Sequence, residues 1–244
     1  MAALLAVTAA ACGGSPLLRQ YEYEEEIFLG VDGSATVVIN SSIPALVALR
    51  GLNLDPGQRA RLDRQRLEAA YTSPGTRVLR VSRPWRRSGR RFVQVRVETD
   101  DVRRLAEAAP LAWSTYRFDR GAGEITYRQT LGPASGASPA ARANAGWTGE
   151  EIFAVRVHVP SRILYHNVRR LEDGRPGQVG RGNILTWEQR LADRMAGVPS
   201  EIEVRFEPRS ILAATLWLFL VATAGALALL GGLIWWTAKR RPPR

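Results

Sequence analysis

One cysteine, two histidines, two methionines and a single lysine are all that this 244-residue chain has of four chemically useful residue types. A lone Cys12 excludes an intrachain disulfide, since a bridge needs two cysteines. Two histidines, His158 and His166, with no cysteine near them fall short of the three or four ligands of a zinc site. His158 falls inside an alternating strand pattern and His166 beside Asn167 in a turn. Gly-x-Ser-x-Gly and P-loop signatures are absent as well. Nucleophilic catalysis has no candidate: the one thiol sits in a leader-like context, and neither histidine has a Ser/Asp partner in sequence. No pair among the 23 acids is diagnostic. We therefore expect a non-enzymatic protein with no cofactor and no metal.

Lysine is replaced almost wholly by arginine: of 34 basic residues only Lys239 is Lys, and the formal charge is +11. Arginine binds phosphate and carboxylate bidentately, which suits anionic headgroups or acidic wall polymer. A GC-rich genome gives the same composition without any such ligand, and we read composition as a whole that way. Nucleic acid is a poor fit for an exported domain.

What the chain does have is a long uncharged run. Residues 211–236 carry no charge, and a spanning helix needs about 20 apolar residues at about 1.5 Å each. Arg209 precedes the run, Trp235 and Trp236 close it, and Lys239, Arg240 and Arg241 follow. We expect a single-pass helix over 209–237 and a basic cytoplasmic tail over 238–244, which places the preceding domain outside the cytoplasm of a bacterial cell. At the other end, residues 1–11 are small and apolar, and Cys12 leads into Gly13-Gly14-Ser15-Pro16. This is similar to a lipobox, with Cys12 as the acylated residue, 1–11 as a signal segment incomplete at its start, and 12–19 as a tether. An ordinary signal peptide cleaved nearby is the alternative.

Between these ends the patterning is β-rich. Residues 21–40 form two alternating runs about Asp32-Gly33, a hairpin signal. Glu22, Glu24 and Glu26 share one face of the first run, opposite Tyr21, Tyr23 and Ile27. A cation site would need a ligand loop that does not follow, so we read a solvated face. Ile43-Pro44 ends the hairpin. Leu62, Leu67, Ala70 and Tyr71 give an amphipathic helix ringed by Arg59, Arg61, Arg64 and Arg66. Runs 77–82 and 91–98 flank a second hairpin whose tip holds Arg83, Trp85, Arg86, Arg87, Arg90 and Arg91. Tryptophan among arginines on a loop suits a headgroup or a membrane surface; a basic turn with Trp85 folded onto the core is the alternative. Thr99-Asp100-Asp101 caps a short helix, and strands follow over 113–119 and 124–130. Residues 131–148 read as a loop or linker, and further strands lie over 151–160, 183–191 and 202–206. The expectation is an α+β fold: a mostly antiparallel sheet built from hairpins, two short helices and the C-terminal transmembrane helix. Regions 20–130 and 149–208 should belong to one domain.

The closing segment joins a strand ending at Pro160, a His166-Asn167 turn, a Gly182-Asn183-x-x-x-Trp187 strand and a last strand feeding the membrane helix. With the Cys12 lead and the Asp-Gly hairpin, it resembles the LppM-type lipoprotein family. The resemblance implies an α+β domain at the cell envelope that binds lipid or glycolipid rather than catalysing a reaction. Two partners follow as expectations: the bilayer with an anionic lipid or glycolipid, or another envelope protein reached through sheet edges or the helix.

Overall fold

The computed structural model describes residues 19–134, 146–209 and 211–239. The expected signal segment, Cys12, the central part of the 131–148 linker, Arg240 and Arg241 lie outside the described residues.

The architecture is α+β. Strands β1 (Tyr21–Leu29) and β2 (Ala35–Ser42) form the first hairpin, with Gly33 at φ 95° in its turn. Beside β2 runs β5 (Arg90–Thr99), and β5 in turn pairs with both β3 (Arg77–Val81) and β4 (Trp85–Arg87). On the other flank of β1 lies β8 (Ile152–His158), followed by β10 (Ile184–Arg190). This first sheet has seven strands, antiparallel except for the β1–β8 pair. A second, antiparallel sheet of four strands orders β6 (Ser114–Arg120), β7 (Ile125–Leu131), β11 (Ser200–Phe206) and β9 (Ile163–His166). Residues on either side of the 131–148 stretch thus interleave in both sheets.

Among the described residues, three short helices and two 3₁₀ turns fill the flanks. Helix α1 (Ile43–Arg50) begins where the first hairpin was expected simply to end. Ser42 caps it, its hydroxyl accepting from the Ala45 amide at 3.1 Å, and Gly51 at φ 64° closes it. The helix is apolar on nearly all sides, so it lacks the one-sided stripe that betrays a helix in sequence, and it is buried accordingly. Helix α2 (Arg64–Tyr71) is the expected amphipathic one, capped by Asp63 and burying Leu67 and Tyr71. The stretch expected as a helix after Asp101 is 3₁₀ over Val102–Glu107, and a second 3₁₀ turn covers Ala109–Leu111. Helix α3 (Leu191–Met195) buries Leu191 and Arg194. One apolar core runs between the sheets, from Ile27, Val37 and Val95 to Ile125, Val204 and Phe206.

Helix α4 (Ile211–Lys239) contains the uncharged run. Within it Thr215–Trp236, 22 residues, is long and apolar enough to cross a membrane and is not covered by the rest of the chain. Its approach is short: β11 ends at Phe206, and Glu207 is tied down by the Arg162 carbonyl (3.0 Å) and the Arg162 guanidinium (3.4 Å).

Candidate functional site: the basic hairpin and the buried arginines

The β4–β5 hairpin turns through Ser88 and Gly89, at φ 48° and 72°. Two successive positive-φ residues match the right-handed twist of the strands, so the tip is tight rather than a long loop. Trp85 stands at 38% exposure with its ring stacked on Phe92, centroids 6.0 Å apart. It is therefore half seated and half presented, between the two alternatives open from the sequence.

The arginines named from the sequence divide into two sets. Arg83, Arg86 and Arg87 are exposed; Arg86 donates to the Gln58 carbonyl at 3.1 Å and Arg87 to the Tyr21 carbonyl. Arg90 and Arg91 instead point into the protein. Arg90 donates to Glu22 at 2.6 Å and to Glu151 at 3.1 Å, and its side chain is only 11% exposed. Arg91 donates to the carbonyls of Asp55 and Ala60, which fastens loop 52–63 to the hairpin. These two build the platform; they are not available to a headgroup.

The same platform corrects the reading of the acidic face on β1. Glu22 is fully buried, accepting from Arg90, from Gln20 (3.1 Å) and from the Trp147 indole (3.2 Å). Glu24 and Glu26 both grip Arg156 of β8. The carboxylates are thus consumed by Arg90 of β5, by Arg156 of the parallel neighbour β8 and by Trp147 ahead of it, none of which sequence alone places beside β1.

Loop 52–63 carries Arg59 and Arg61 next to the hairpin, and α2 adds Arg64 and Arg66. All seven of Arg59, Arg61, Arg64, Arg66, Arg83, Arg86 and Arg87 are exposed, and among the described residues none makes an ion pair. A cleft of about 640 Å³ opens beside Arg61, Leu62, Asp63, Arg64 and Gln65. Elsewhere on the surface the arginines at 77, 103, 104, 128, 162, 170, 190 and 205 do have carboxylate partners. Arg80, Arg96, Arg117, Arg120, Arg169, Arg181 and Arg209 are exposed too and have no carboxylate partner among the described residues, so what distinguishes the hairpin end is the grouping of its arginines around Trp85.

That end lies opposite the membrane helix. Register places Leu29 against Ala35 and Ala35 against Thr99, while Ser42 faces Phe92 beside the hairpin. Phe206, the last residue before the junction, pairs with Ile125 and belongs to the Leu29 end: Phe118 of that sheet packs so tightly on Gly33 that a Cβ there would meet its ring at 3.2 Å. The ten residues of β5 therefore separate the two, about 30 Å at roughly 3.3 Å per residue.

A second constellation escaped sequence reading. Alternation along β1 places Glu25, not only Tyr23 and Ile27, on the inner face, and Glu25 is fully buried. It accepts from the Tyr23 hydroxyl and from Gln129 Nε2, both at 3.0 Å. Arg50, the last residue of α1, lies across the rings of Tyr23 (4.2 Å) and Trp113 (3.1 Å), with Glu25 at 4.0 Å. Arg194 of α3 approaches the same Trp113 ring at 5.5 Å and is itself fully buried. The signal was available in the period-2 position of Glu25; its partners, on elements far along the chain, were not.

Both histidines are partly buried, and burial lowers the pKa of each from the ordinary 6.5. His158 stacks on Phe28 at 4.0 Å and lies 4.0 Å from Glu26, whose charge opposes the burial while that of Arg156 adds to it. Among the described residues no group of three or more His, Cys, Asp or Glu is placed to hold a metal ion. Of the expected interface residues, Arg209 lies at the junction, and Trp235 lies 5.0 Å beneath Lys239 Nζ at the far end of α4 with Trp236 beside it.

No family model matches the chain, and no curated protein matches it. Among solved structures the chain is similar to the folded domain of the Mycobacterium tuberculosis LppM protein. That likeness has a TM-score of 0.40 and 13% identity, over 80% of this chain and 95% of that chain. A likeness so distant identifies neither a family nor a ligand for this chain.

Proposed function

We propose that this is a bacterial membrane-anchored, non-enzymatic domain that binds anionic lipid or glycolipid headgroups at the outer surface of its own membrane. The basic tail beyond Lys239 lies on the cytoplasmic side, Cys12 carries the lipid of a lipoprotein, and the sheets stand outside. The observation that carries this reading is the set of seven exposed arginines without carboxylate partners around the half-presented Trp85. Guanidinium pairs with phosphate in two parallel hydrogen bonds, and an indole beside it suits the headgroup layer. With α4 pinning one end and the hairpin about 30 Å away along β5, both ends meet one leaflet when the domain reclines along it.

The direct test is co-flotation of the full chain, held in neutral nanodiscs, with vesicles of phosphatidylcholine alone or with a third phosphatidylglycerol. Binding only to the anionic vesicles is expected. Replacing Arg83, Arg86 and Arg87 together by Ala should weaken it roughly a hundredfold, from about 1 kcal/mol per surface cation. Equal binding to both vesicle types sinks the reading.

The other reading, a scaffold for a second envelope protein, rests on β9. This edge strand exposes Leu164 and Tyr165 at 46% and 47% beside the membrane junction. In-membrane crosslinking from position 164 would discriminate: capture of one defined membrane protein supports it, and recovery of the chain alone removes it.

A further inference from the structure

Arg50 and Arg194 meet between the two sheets with a single carboxylate, Glu25, close by. Arg50 Nη1 and Nη2, Arg194 Nε, the Trp113 indole nitrogen and the Tyr71 hydroxyl are buried without a hydrogen-bond partner. Each of the five is a donor. The nearby acceptors each already take a donor: one Glu25 oxygen accepts from Tyr23 and the other from Gln129, the Gln129 carbonyl oxygen accepts from Tyr127 at 2.9 Å, and the Tyr23 hydroxyl accepts from Arg50 Nε at 3.3 Å. Arg194 spends its remaining donors on the Gly132 carbonyl (2.8 Å) and on Gln189 (3.5 Å). Burial and the Arg50 charge both push the Arg194 guanidinium below its ordinary pKa. A guanidinium does not shed its proton in a protein, so the imbalance is not relieved by neutralisation. A buried, uncompensated positive charge is among the costliest features a fold can hold.

We propose that a small monovalent anion, of chloride size, is held between the sheets by Arg50 and Arg194 with the Trp113 indole as a further donor. Sign excludes a metal ion, and the guanidinium and indole nitrogens, which can only donate, exclude a donor such as ammonium as their partner. Size follows from enclosure: the Arg50 and Glu25 side chains are wholly buried, while the surface clefts open elsewhere, beside Arg61, beside Arg190 and beside Trp147. One acceptor of negative charge answers both the charge and the missing acceptors. This site is separate from the surface arginines, so it stands whether or not the hairpin binds lipid.

The test uses the full chain in neutral detergent micelles, melted in sodium gluconate, chloride or bromide at equal ionic strength. The expected result is a saturable rise in Tm of about 3 °C or more in chloride and bromide over gluconate. Arg50→Met and Arg194→Met should each abolish that difference, whereas Arg128→Met should keep it. Should the two core variants fail to fold, crystals of the wild-type chain grown in bromide decide the matter. An anomalous peak beside Arg50 and Arg194 supports the site. Water alone at that position, or equal Tm in all three salts, overturns it.

Discussion

Single side chains here do structural work that their charge alone does not announce. Arg90 joins the hairpin to two buried carboxylates, Glu22 on β1 and Glu151 ahead of β8. Removing it leaves both acids in a dry setting, so Arg90→Met should destabilise the full chain by about 3–5 kcal/mol, read in thermal or urea unfolding. Adding Glu22→Gln should restore part of that loss; a purely steric role for Arg90 would give no restoration. The histidines make a second residue-scale prediction. Their folded pKa values lie below the ordinary 6.5, so the unfolded chain binds protons more readily once the pH drops below that value. Stability from this source is complete above about pH 6.5 and is lost as the pH falls toward the folded values. Comparing Tm at pH 7.5 and 5.5 checks it: His158→Phe combined with His166→Gln should flatten the dependence across that interval. The carboxylates held down by arginine or backbone partners, Asp101 and Glu203 among them, add their own loss only at lower pH.

At the scale of elements, α1 is the piece on which the buried cluster depends, because Arg50 is its last turn. Ser42→Ala removes the cap to the Ala45 amide and should cost about 1 kcal/mol. Gly51→Val, at φ 64°, should cost more than that, since its side chain disfavours the left-handed region. Both should also reduce the chloride dependence of Tm if the helix end positions Arg50. The elements also show what was legible beforehand. Hairpins wrote themselves plainly, because alternation and Asp-Gly or Ser-Gly turns are local signals, and α2 did so through its one-sided apolar stripe. Helix α1 was not legible, being buried nearly all round after Pro44. Neither was the division into two sheets, since alternation says which face is apolar but not which strand lies next. The basic hairpin was visible as a motif; that Arg90 and Arg91 turn inward depended on Glu22, Glu151 and the loop carbonyls, contacts made across distant sequence.

For the molecule as a whole, the basic hairpin and the start of the long apolar helix sit at opposite ends of the same strands. A spectroscopic label at position 89, introduced as Gly89→Cys in a Cys12→Ser background, should report this. In neutral bilayers the tip should stand clear of the headgroups. Adding anionic lipid should bring it to within about 10 Å, the distance over which surface potential acts at physiological salt. A tip position indifferent to lipid charge would leave the arginines as a solvated face.

The parallel pairing of β1 with β8 bears on how this molecule comes into being. Glu25 sits beside Val155, so the central strand of the first sheet waits for a neighbour made some 130 residues later. The second sheet waits longer still, for β11, whose last residue precedes α4 by only a few positions. Such non-local topology folds slowly, and a chain synthesised from its N-terminus holds unpaired strand edges until nearly the end. The final strand arrives almost together with the helix that is long and apolar enough to cross a membrane. Completion of the second sheet and emergence of that helix are thereby made a single late event, and fragments that end before β11 should be substrates for proteolysis rather than folded copies of the domain.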